Sequence, residues 1–214
     1  MFSAVFELYG SHVTTAEPRV RGEYAKTPAR RQEILAAAVD VFSTAGFHKG
    51  SLRDVAERAG LSQAGLLHHF PSKSHLVEAV LAWRDEESQA RFTEGTSGRS
   101  ALRSMVELIE YNQRATPELA ELYATLSAEA TSPDHPVHTY FVQRYAWVVG
   151  YTRDALQRAE EAGELRAGVD CSSAARTVVA LMDGLQIQWL YDRGAVDMAA
   201  EVRRYVQSLF TVEL

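Results

Sequence analysis

The most constraining feature of the sequence is a pair of short helical patterns separated by one tight turn, over residues 52–70. Ser51 and Asp54 have the spacing of a capping box, which predicts that a helix begins after Ser51. Gly60 stands where a helix commonly ends in a left-handed residue, and Ser62 is suited to cap a second helix. Two helices joined by a three- or four-residue turn that contains glycine are typical of a helix-turn-helix.

Helical patterns continue on both sides of this segment, and alternating strand patterns are missing. Thr27 followed by Pro28 predicts the N-cap and first residue of a helix that Gly46 ends. After a loose stretch over 94–100, apolar spacing, proline starts and glycine ends predict further helices. They lie over about 73–92, from Leu102, from Pro117, and over 136–162, 172–191 and from Asp197 to Phe210. The chain is therefore predicted to be all-α, with three short helices followed by five or six longer ones.

Charge is distributed unevenly along the chain. Residues 19–73 contain nine Lys/Arg and five Asp/Glu, a net +4, whereas the whole chain carries −6 and the remainder therefore −10. A basic segment in an acidic chain favours a polyanionic partner, although scattered surface charge is the alternative. Residues 1–26 show no clear pattern and are predicted to form a flexible basic arm.

Several protein classes are excluded by composition. Cys171 is the one cysteine, so an internal disulfide framework and a cysteine-based zinc site are excluded. The first residues carry no leading basic cluster, and no apolar run approaches the roughly 20 residues of a membrane helix. We expect a cytoplasmic protein with no membrane partner.

Two short motifs could indicate a catalytic or a metal-binding site, but neither fits this helical pattern. Gly60–Ala64 nearly matches the G-x-S-x-G nucleophile elbow, but that motif needs a strand before its serine, and Ser62 is better explained as an N-cap. His68 and His69 would point about 100° apart on a helix and cannot share an ion.

One other histidine pair has a spacing suited to a metal. His135 and His138 are three residues apart, but no Glu-x-x-His motif accompanies them, so a solvated pair is the interpretation. The sequence therefore predicts no catalytic residues, no metal site and no cofactor.

The second helix of the pair begins with residues suited to DNA bases. Ala64 and Gly65 are small and permit close approach, and the Gln63 amide can pair with adenine. His69 and Lys73 follow where phosphates would lie. Ser51, at the start of the first helix, offers N–H groups to an anion in the same way as Lys73.

The stretch LRDVAERAGLSQAGLLHHFPSK resembles the DNA-binding domain of the tetracycline-repressor (TetR) family, and the resemblance covers residues 28–92. It implies an all-α homodimer with an N-terminal three-helix helix-turn-helix domain and a larger helical ligand-binding and dimerisation domain. We place these domains at 27–72 and 73–214.

The resemblance also implies base contacts from Gln63, Ala64 and Gly65, and phosphate contacts from His69 and Lys73. The family usually has tyrosine at the place of Leu67, where its hydroxyl often reaches a phosphate. Without it, we expect DNA affinity to depend more on His68, or on the basic arm from Arg19 to Arg31, which includes Arg30.

Two further sets of residues are predicted in the larger domain. Apolar stripes on two helices predict a dimer interface that pairs into a four-helix bundle, although the same stripes are typical of a monomer core. They are Phe141, Val148 and Ala155, and Val178, Met182, Leu185 and Trp189. A ligand pocket is predicted among interspersed aromatic and polar residues, the alternative being an ordinary aromatic core. Its candidate residues are Tyr111, Tyr123, His138, Trp147 and Tyr151.

Together these features predict a ligand-responsive transcriptional regulator. The expected mechanism is a repressor that binds a palindromic operator in double-stranded DNA as a homodimer and is released by a small-molecule effector. A transcriptional activator of the same fold remains an alternative. So does a helical ligand-binding or enzymatic protein whose helix-turn-helix is incidental.

Overall fold

A computed structural model describes residues 26–89 and 97–214, and its regular secondary structure there is helical, which confirms the all-α prediction. The helices are α1 (Lys26–Lys49), α2 (Leu52–Arg58), α3 (Gln63–His69), α4 (Lys73–Gln89), α5 (Gly98–Ala115), α6 (Pro117–Glu129), α7 (His138–Glu161), α8 (Cys171–Tyr191) and α9 (Met198–Leu209). Residues Ile34–Leu214 form one compact unit, to which the core described below belongs. No helix within the described ranges has the length and apolarity to cross a bilayer.

The turn between α2 and α3 has the geometry that its residues predict. The Ser51 hydroxyl accepts a hydrogen bond from the Asp54 N–H at 3.1 Å and so caps α2. Gly60 has φ +63°, and the N–H of Leu61 donates to the Ala56 carbonyl at 2.8 Å, as in a Schellman motif. The Ser62 hydroxyl caps α3 by accepting from the Gly65 N–H at 3.1 Å. The helix-turn-helix therefore follows from local capping chemistry.

Helix α1 differs from its prediction at both ends. It begins at Lys26, one residue before the predicted N-cap Thr27, and it spans 24 residues, so it is not short. Gly46, with φ +69° and ψ −179°, breaks the helix as predicted, but one further turn continues to Lys49. That turn forms because the Gly50 N–H donates to the Gly46 carbonyl at 3.2 Å.

One hydrophobic cluster joins the helix-turn-helix to the helices that follow it. Leu76, Val77, Val80 and Leu81 of α4 are fully buried, in one cluster with residues of α1, α2, α3, α6 and α7. Burial of one such side chain stabilises the fold by about 1.5–3 kcal/mol, so α4 is firmly packed against the helix-turn-helix. Because this cluster spans both sides of residue 73, the domain boundary at that residue remains a prediction.

A second cluster is formed by α5, α7, α8 and α9. Helix α5 begins at Gly98, earlier than the predicted end of the loose stretch, with Ser97 and Ser100 forming a capping box. Gly98 is required here, because a methyl group at this position would overlap the backbone of Ala155 and Ala159 on α7. This close approach fixes the start of α5 against the middle of α7.

Candidate nucleic-acid interface and ligand cavity

Helix α3 has one buried face and one face open to solvent. Leu66 is fully buried and Phe70, just after the helix, is 2 % exposed, so these side chains hold α3 against the core. Gln63, Ala64 and His68 are exposed. A short helix held by one apolar face and presenting small and amide side chains on the other can enter a major groove.

The residues predicted to contact phosphates lie in different local environments. The Ser51 hydroxyl donates to the Asp54 carboxylate at 2.6 Å, and His69 is half-buried at the end of α3. The Lys73 ammonium lies 4.5 Å from the centre of the Phe47 ring, and burial lowers its pKa. DNA contact by these residues remains a prediction.

Two more positions concern the predicted DNA contacts. Arg30 forms an ion pair with Glu33, one turn further along α1. Leu67 is 38 % exposed on α3, so the residue that stands in place of the family's usual tyrosine is open to solvent. Its apolar side chain offers no hydrogen bond to a phosphate.

A cavity lies among α4, α5, α6, α7, α8 and the start of α9. It combines an apolar wall with charged and amide groups, as small-molecule sites do. Its lining consists of Arg84, Ile109, Asn112, Leu119, Ala120, Tyr123, Arg144, Tyr145, Val148, Val179, Met182, Asp183, Gln186 and Met198.

Two arginines form the charged side of this cavity. The Arg84 guanidinium lies 4.1 Å from the centre of the Tyr123 ring, and the Arg144 guanidinium lies 4.8 Å from that of Trp147. Both are largely buried, with side chains 13 % and 14 % exposed, beside Asp85. Burial acts to lower the pKa of Arg144, but Asp85 and the neighbouring tyrosines outweigh it and raise that pKa. The Arg144 Nε is buried without a hydrogen-bond partner.

Asp183 faces the arginines from α8. The Tyr145 hydroxyl donates a hydrogen bond of 2.9 Å to its carboxylate. Burial raises the pKa of Asp183 above its ordinary value, and the hydrogen bond from Tyr145 opposes that change. Burial also raises the pKa values of Tyr123 and Tyr145, so both phenols remain protonated donors at neutral pH.

Comparison with known proteins agrees with the two parts of this architecture. The family model described as "Bacterial regulatory proteins, tetR family" matches residues 34–80, and "BetI-type transcriptional repressor, C-terminal" matches residues 98–211. The chain belongs to the TetR family. It is a helix-turn-helix transcriptional regulator and not an enzyme, which excludes the enzymatic alternative given above.

Individual relatives extend the likeness over most of the chain. The HTH-type transcriptional regulator UidR of Escherichia coli (strain K12) is 26% identical over 172 residues, 80% of this chain and 85% of UidR. RutR of the same strain is 51% identical over 53 residues, 25% of each chain. A TetR-family transcriptional regulator from Agrobacterium tumefaciens shares the fold, with a TM-score of 0.73 at 20% identity, covering 86% of this chain and 100% of that one.

The cavity of this TetR-family chain includes one of the residues predicted for a ligand pocket, and ligand contact by any of the five remains a prediction. Of the five candidates, Tyr123 lines it, whereas Tyr111, His138, Trp147 and Tyr151 do not. The reasons are visible for three of them. The His138 ring lies 2.8 Å from the Ala130 carbonyl oxygen, and Trp147 and Tyr151 stack on each other with ring centres 5.6 Å apart.

Arg84, Arg144 and Asp183 are the cavity residues that sequence reasoning missed. Each carries a charge within a helical apolar pattern: Arg144 lies between Phe141 and Val148, both of which are buried. An ionisable residue on an otherwise buried face is rare unless it is paired or functional. That signal was present in the sequence.

The residues predicted for a dimer interface lie mostly in the core of the single chain, and their contact with a second subunit remains a prediction. Six of the seven are buried within that core. These six are Phe141, Val148, Ala155, Val178, Leu185 and Trp189. Met182 is half-buried and lines the cavity.

The interpretation of His135 and His138 as a solvated pair is wrong. His135 is buried, and His138 is half-buried with its ring nitrogen facing the Ala130 carbonyl. The turn between α6 and α7 folds back over the end of α1, where the His135 and Phe47 ring centres lie 4.8 Å apart. The spacing of two histidines could not reveal this contact with a distant segment.

Proposed function

We propose that this regulator represses transcription by binding a palindromic operator as a homodimer, and that a small molecule bound in the cavity releases it. Because it acts on DNA, we expect the protein to be cytoplasmic. The observation that carries the proposal is the single open face of α3, where Gln63, Ala64 and Gly65 precede the buried anchor Leu66. Reading of base edges by such a helix end is the usual mode of a helix-turn-helix.

Helix α4 supplies a route from the cavity to α3. It begins at Lys73, immediately after the turn that ends α3, and carries Arg84 into the cavity lining about three turns later. The side chains between these ends are packed against the helix-turn-helix. A ligand that moves Arg84 therefore displaces α2 and α3. Its effect is limited to its preference between two packings, typically about 1–3 kcal/mol.

A different face of α7 and α8 is available for a second subunit. On α8, Ala180, Gly184, Ile187 and Tyr191 follow a 4-3-4 spacing, and Ile187 and Tyr191 are 52 % and 90 % exposed. On α7, Val142 is 55 % exposed. An apolar exposed stripe with small residues suits a helix-to-helix contact between two copies.

The first test is a set of DNA-binding titrations against fragments selected from genomic DNA, repeated over a range of salt concentrations. Lys73→Ala should weaken binding to every sequence and flatten the salt dependence by about one ion. The matched control Arg103→Ala removes an exposed positive charge from α5 and should leave the slope unchanged. Gln63→Ala should instead relax base preference, at a cost of about 1–3 kcal/mol at one position.

The same titrations contain the contradicting outcomes. If Gln63→Ala and Lys73→Ala changed affinity in the same way, the assignment of base and phosphate contacts would be wrong. Selected fragments that lack two-fold symmetry would argue against the homodimer on DNA. A reporter gene behind a selected fragment separates repression from activation, since loss of the protein should raise expression under repression and lower it under activation.

The effector step has its own experiment. A compound that releases the protein from DNA should lose that effect in Arg144→Leu, because the guanidinium lines the cavity and the substitution leaves the surface of α3 untouched. Retained DNA binding in this variant is the control for folding. Full release of Arg144→Leu by the same compound would place the effector elsewhere.

A further inference from the structure

Three side chains from distant parts of the sequence meet near the end of α1. They are His48 in the last turn of α1, Glu129 at the end of α6, and His135 in the turn before α7. One nitrogen or oxygen of each lies within 4.8 Å of the others. This His48–Glu129–His135 cluster is separate from the cavity and from the open face of α3.

His135 has the least conventional environment of the three. Its side chain is 1 % exposed, and its Nε2 lies 3.9 Å from the Glu129 carboxylate, too far for a hydrogen bond. No hydrogen-bond partner reaches this nitrogen in the described structure. A buried polar atom without a partner is unfavourable and calls for an explanation. Here the unpaired nitrogen points into the cluster.

The geometry points to a binding site for one divalent transition-metal ion of the zinc class, held by His48, Glu129 and His135. Two imidazole nitrogens and one carboxylate oxygen form a ligand set that zinc accepts, with water as a fourth ligand. Magnesium and calcium prefer sites made of oxygen alone. The sequence predicted no metal site, because the three residues share no motif spacing.

The cluster needs only a small contraction to reach coordination distance. Metal–nitrogen and metal–oxygen bonds of about 2.0–2.1 Å place tetrahedral ligand atoms roughly 3.4 Å apart. His48 is exposed and so has room to rotate toward the two less mobile ligands. Glu129 is held in position because its carboxylate accepts a hydrogen bond of 2.8 Å from the Phe47 N–H.

Metal binding requires one change at His135. The Val137 N–H donates to its Nδ1 at 3.4 Å, which puts the ring proton on Nε2. Coordination through Nε2 moves that proton to Nδ1 and gives up this hydrogen bond. The bond is at the long end of the accepted range, so its loss is a modest cost against a metal–nitrogen bond.

Lys73 competes with a cation at this site. Its ammonium donates to the His48 carbonyl at 3.4 Å and interacts with the Glu129 charge. A bound dication would repel this ammonium. Lys73→Met keeps much of the side-chain stem and removes the charge. This variant should therefore bind the metal more tightly than the native chain.

A bound ion would connect the end of α1 to α6 and to the turn before α7. Because it binds the folded state, it should raise the unfolding temperature, and by more as the free metal concentration exceeds the dissociation constant. The site would thus be a second input to the DNA-binding domain, independent of any ligand in the cavity.

The experiment uses full-length protein without a histidine tag. Isothermal titration with Zn²⁺, repeated with Mg²⁺, is combined with the visible absorption of bound Co²⁺ as a report of coordination. We expect one Zn²⁺ per chain and no Mg²⁺ binding. In His48→Ala and His135→Gln, affinity should fall by at least the roughly 10- to 100-fold that loss of a ligand's supporting partner costs. His75→Ala, which removes an exposed histidine outside the cluster, should bind like the native chain.

Absence of stoichiometric Zn²⁺ binding by the native chain overturns the inference, as does unchanged affinity in His48→Ala. Equal losses in His48→Ala and His75→Ala would mean nonspecific binding by surface histidines and would also overturn it. His48 is exposed, so its variant keeps the test valid even if His135→Gln does not fold. Metal binding is measured without DNA, so its failure leaves the proposed repressor function untouched.

Discussion

The Tyr140 hydroxyl on α7 donates a hydrogen bond of 2.8 Å to the Asp85 carboxylate on α4. Guanidinium nitrogens of Arg84 and Arg144 lie 3.5 and 3.8 Å from the other oxygen of the same carboxylate. Asp85 therefore joins the helix that leads to α3 with the helix that forms one wall of the cavity. A ligand that contacts either arginine would therefore change the interactions of this carboxylate.

Tyr140→Phe should destabilise the protein by about 1.5–3 kcal/mol, the usual range for a hydrogen bond to a charged group. The reason is that a largely buried carboxylate loses its shortest donor. Burial and the Asp85 charge raise the pKa of Tyr140, so the phenol is a protonated donor at neutral pH. Urea unfolding measures the change, and Tyr205→Phe, at a half-buried tyrosine of α9, is the control. Equal stability of the two variants would contradict the assigned role.

Leu67→Tyr should tighten DNA binding. Leu67 is exposed on α3, and a phenol there gains a donor that can reach a phosphate. One net hydrogen bond of about 0.5–1.5 kcal/mol corresponds to an affinity gain of several-fold. Titration on one operator fragment at fixed salt measures it. Leu67→Phe adds the ring without the hydroxyl and should bind like the native chain, so an equal gain in both variants would exclude a phosphate contact.

Ile187→Lys should convert a homodimer into a monomer. Ile187 lies in the exposed stripe of α8, and a charge placed at the centre of a dry interface carries a large desolvation cost. Sedimentation should change from twice the chain mass of 23.7 kDa to a single chain. Val212→Lys alters another exposed apolar residue outside α8 and should remain dimeric. A native chain that sediments as a monomer would contradict the interface itself.

The helix-turn-helix was predictable because its determinants are local. Ser51, Gly60 and Ser62 act through backbone groups within a few residues of themselves, so their spacing was sufficient. A dimer interface is harder to predict, because helical periodicity shows that a face is apolar without showing what covers it. Val178 is covered by its own chain, while Ile187, nine residues later, is open.

The cavity was predicted only in part for a related reason. Aromatic content identified Tyr123 but also selected Trp147, whose ring stacks on Tyr151 and does not line the cavity. The more informative residues were the charges on buried faces, such as Arg144. The His48–Glu129–His135 cluster had no sequence signal, since tertiary folding alone brings those three positions together.

Asp183→Asn should stabilise the protein without ligand at neutral pH, by an amount that disappears in acid. Burial raises the pKa of Asp183 above its ordinary value of 3.8, so the folded chain holds a proton that the unfolded chain has already released. By linkage, this carboxyl lowers stability as pH rises above 3.8, and it contributes no penalty below that value. Arg84, Arg144 and Tyr145 face the carboxyl and reduce the effect without reversing it.

The uncharged amide of Asp183→Asn avoids this penalty and can still accept the hydrogen bond from Tyr145. We expect a gain on the order of 1 kcal/mol at neutral pH, the usual scale of single-residue effects, shrinking as the pH falls. Urea unfolding of both proteins between about pH 4.5 and 8 measures the difference. Asp134→Asn, at an exposed turn position, is the matched control. A gain that does not vary with pH would have to arise from packing, and a loss of stability at neutral pH would mean that the arginines favour the charged carboxylate more than burial opposes it.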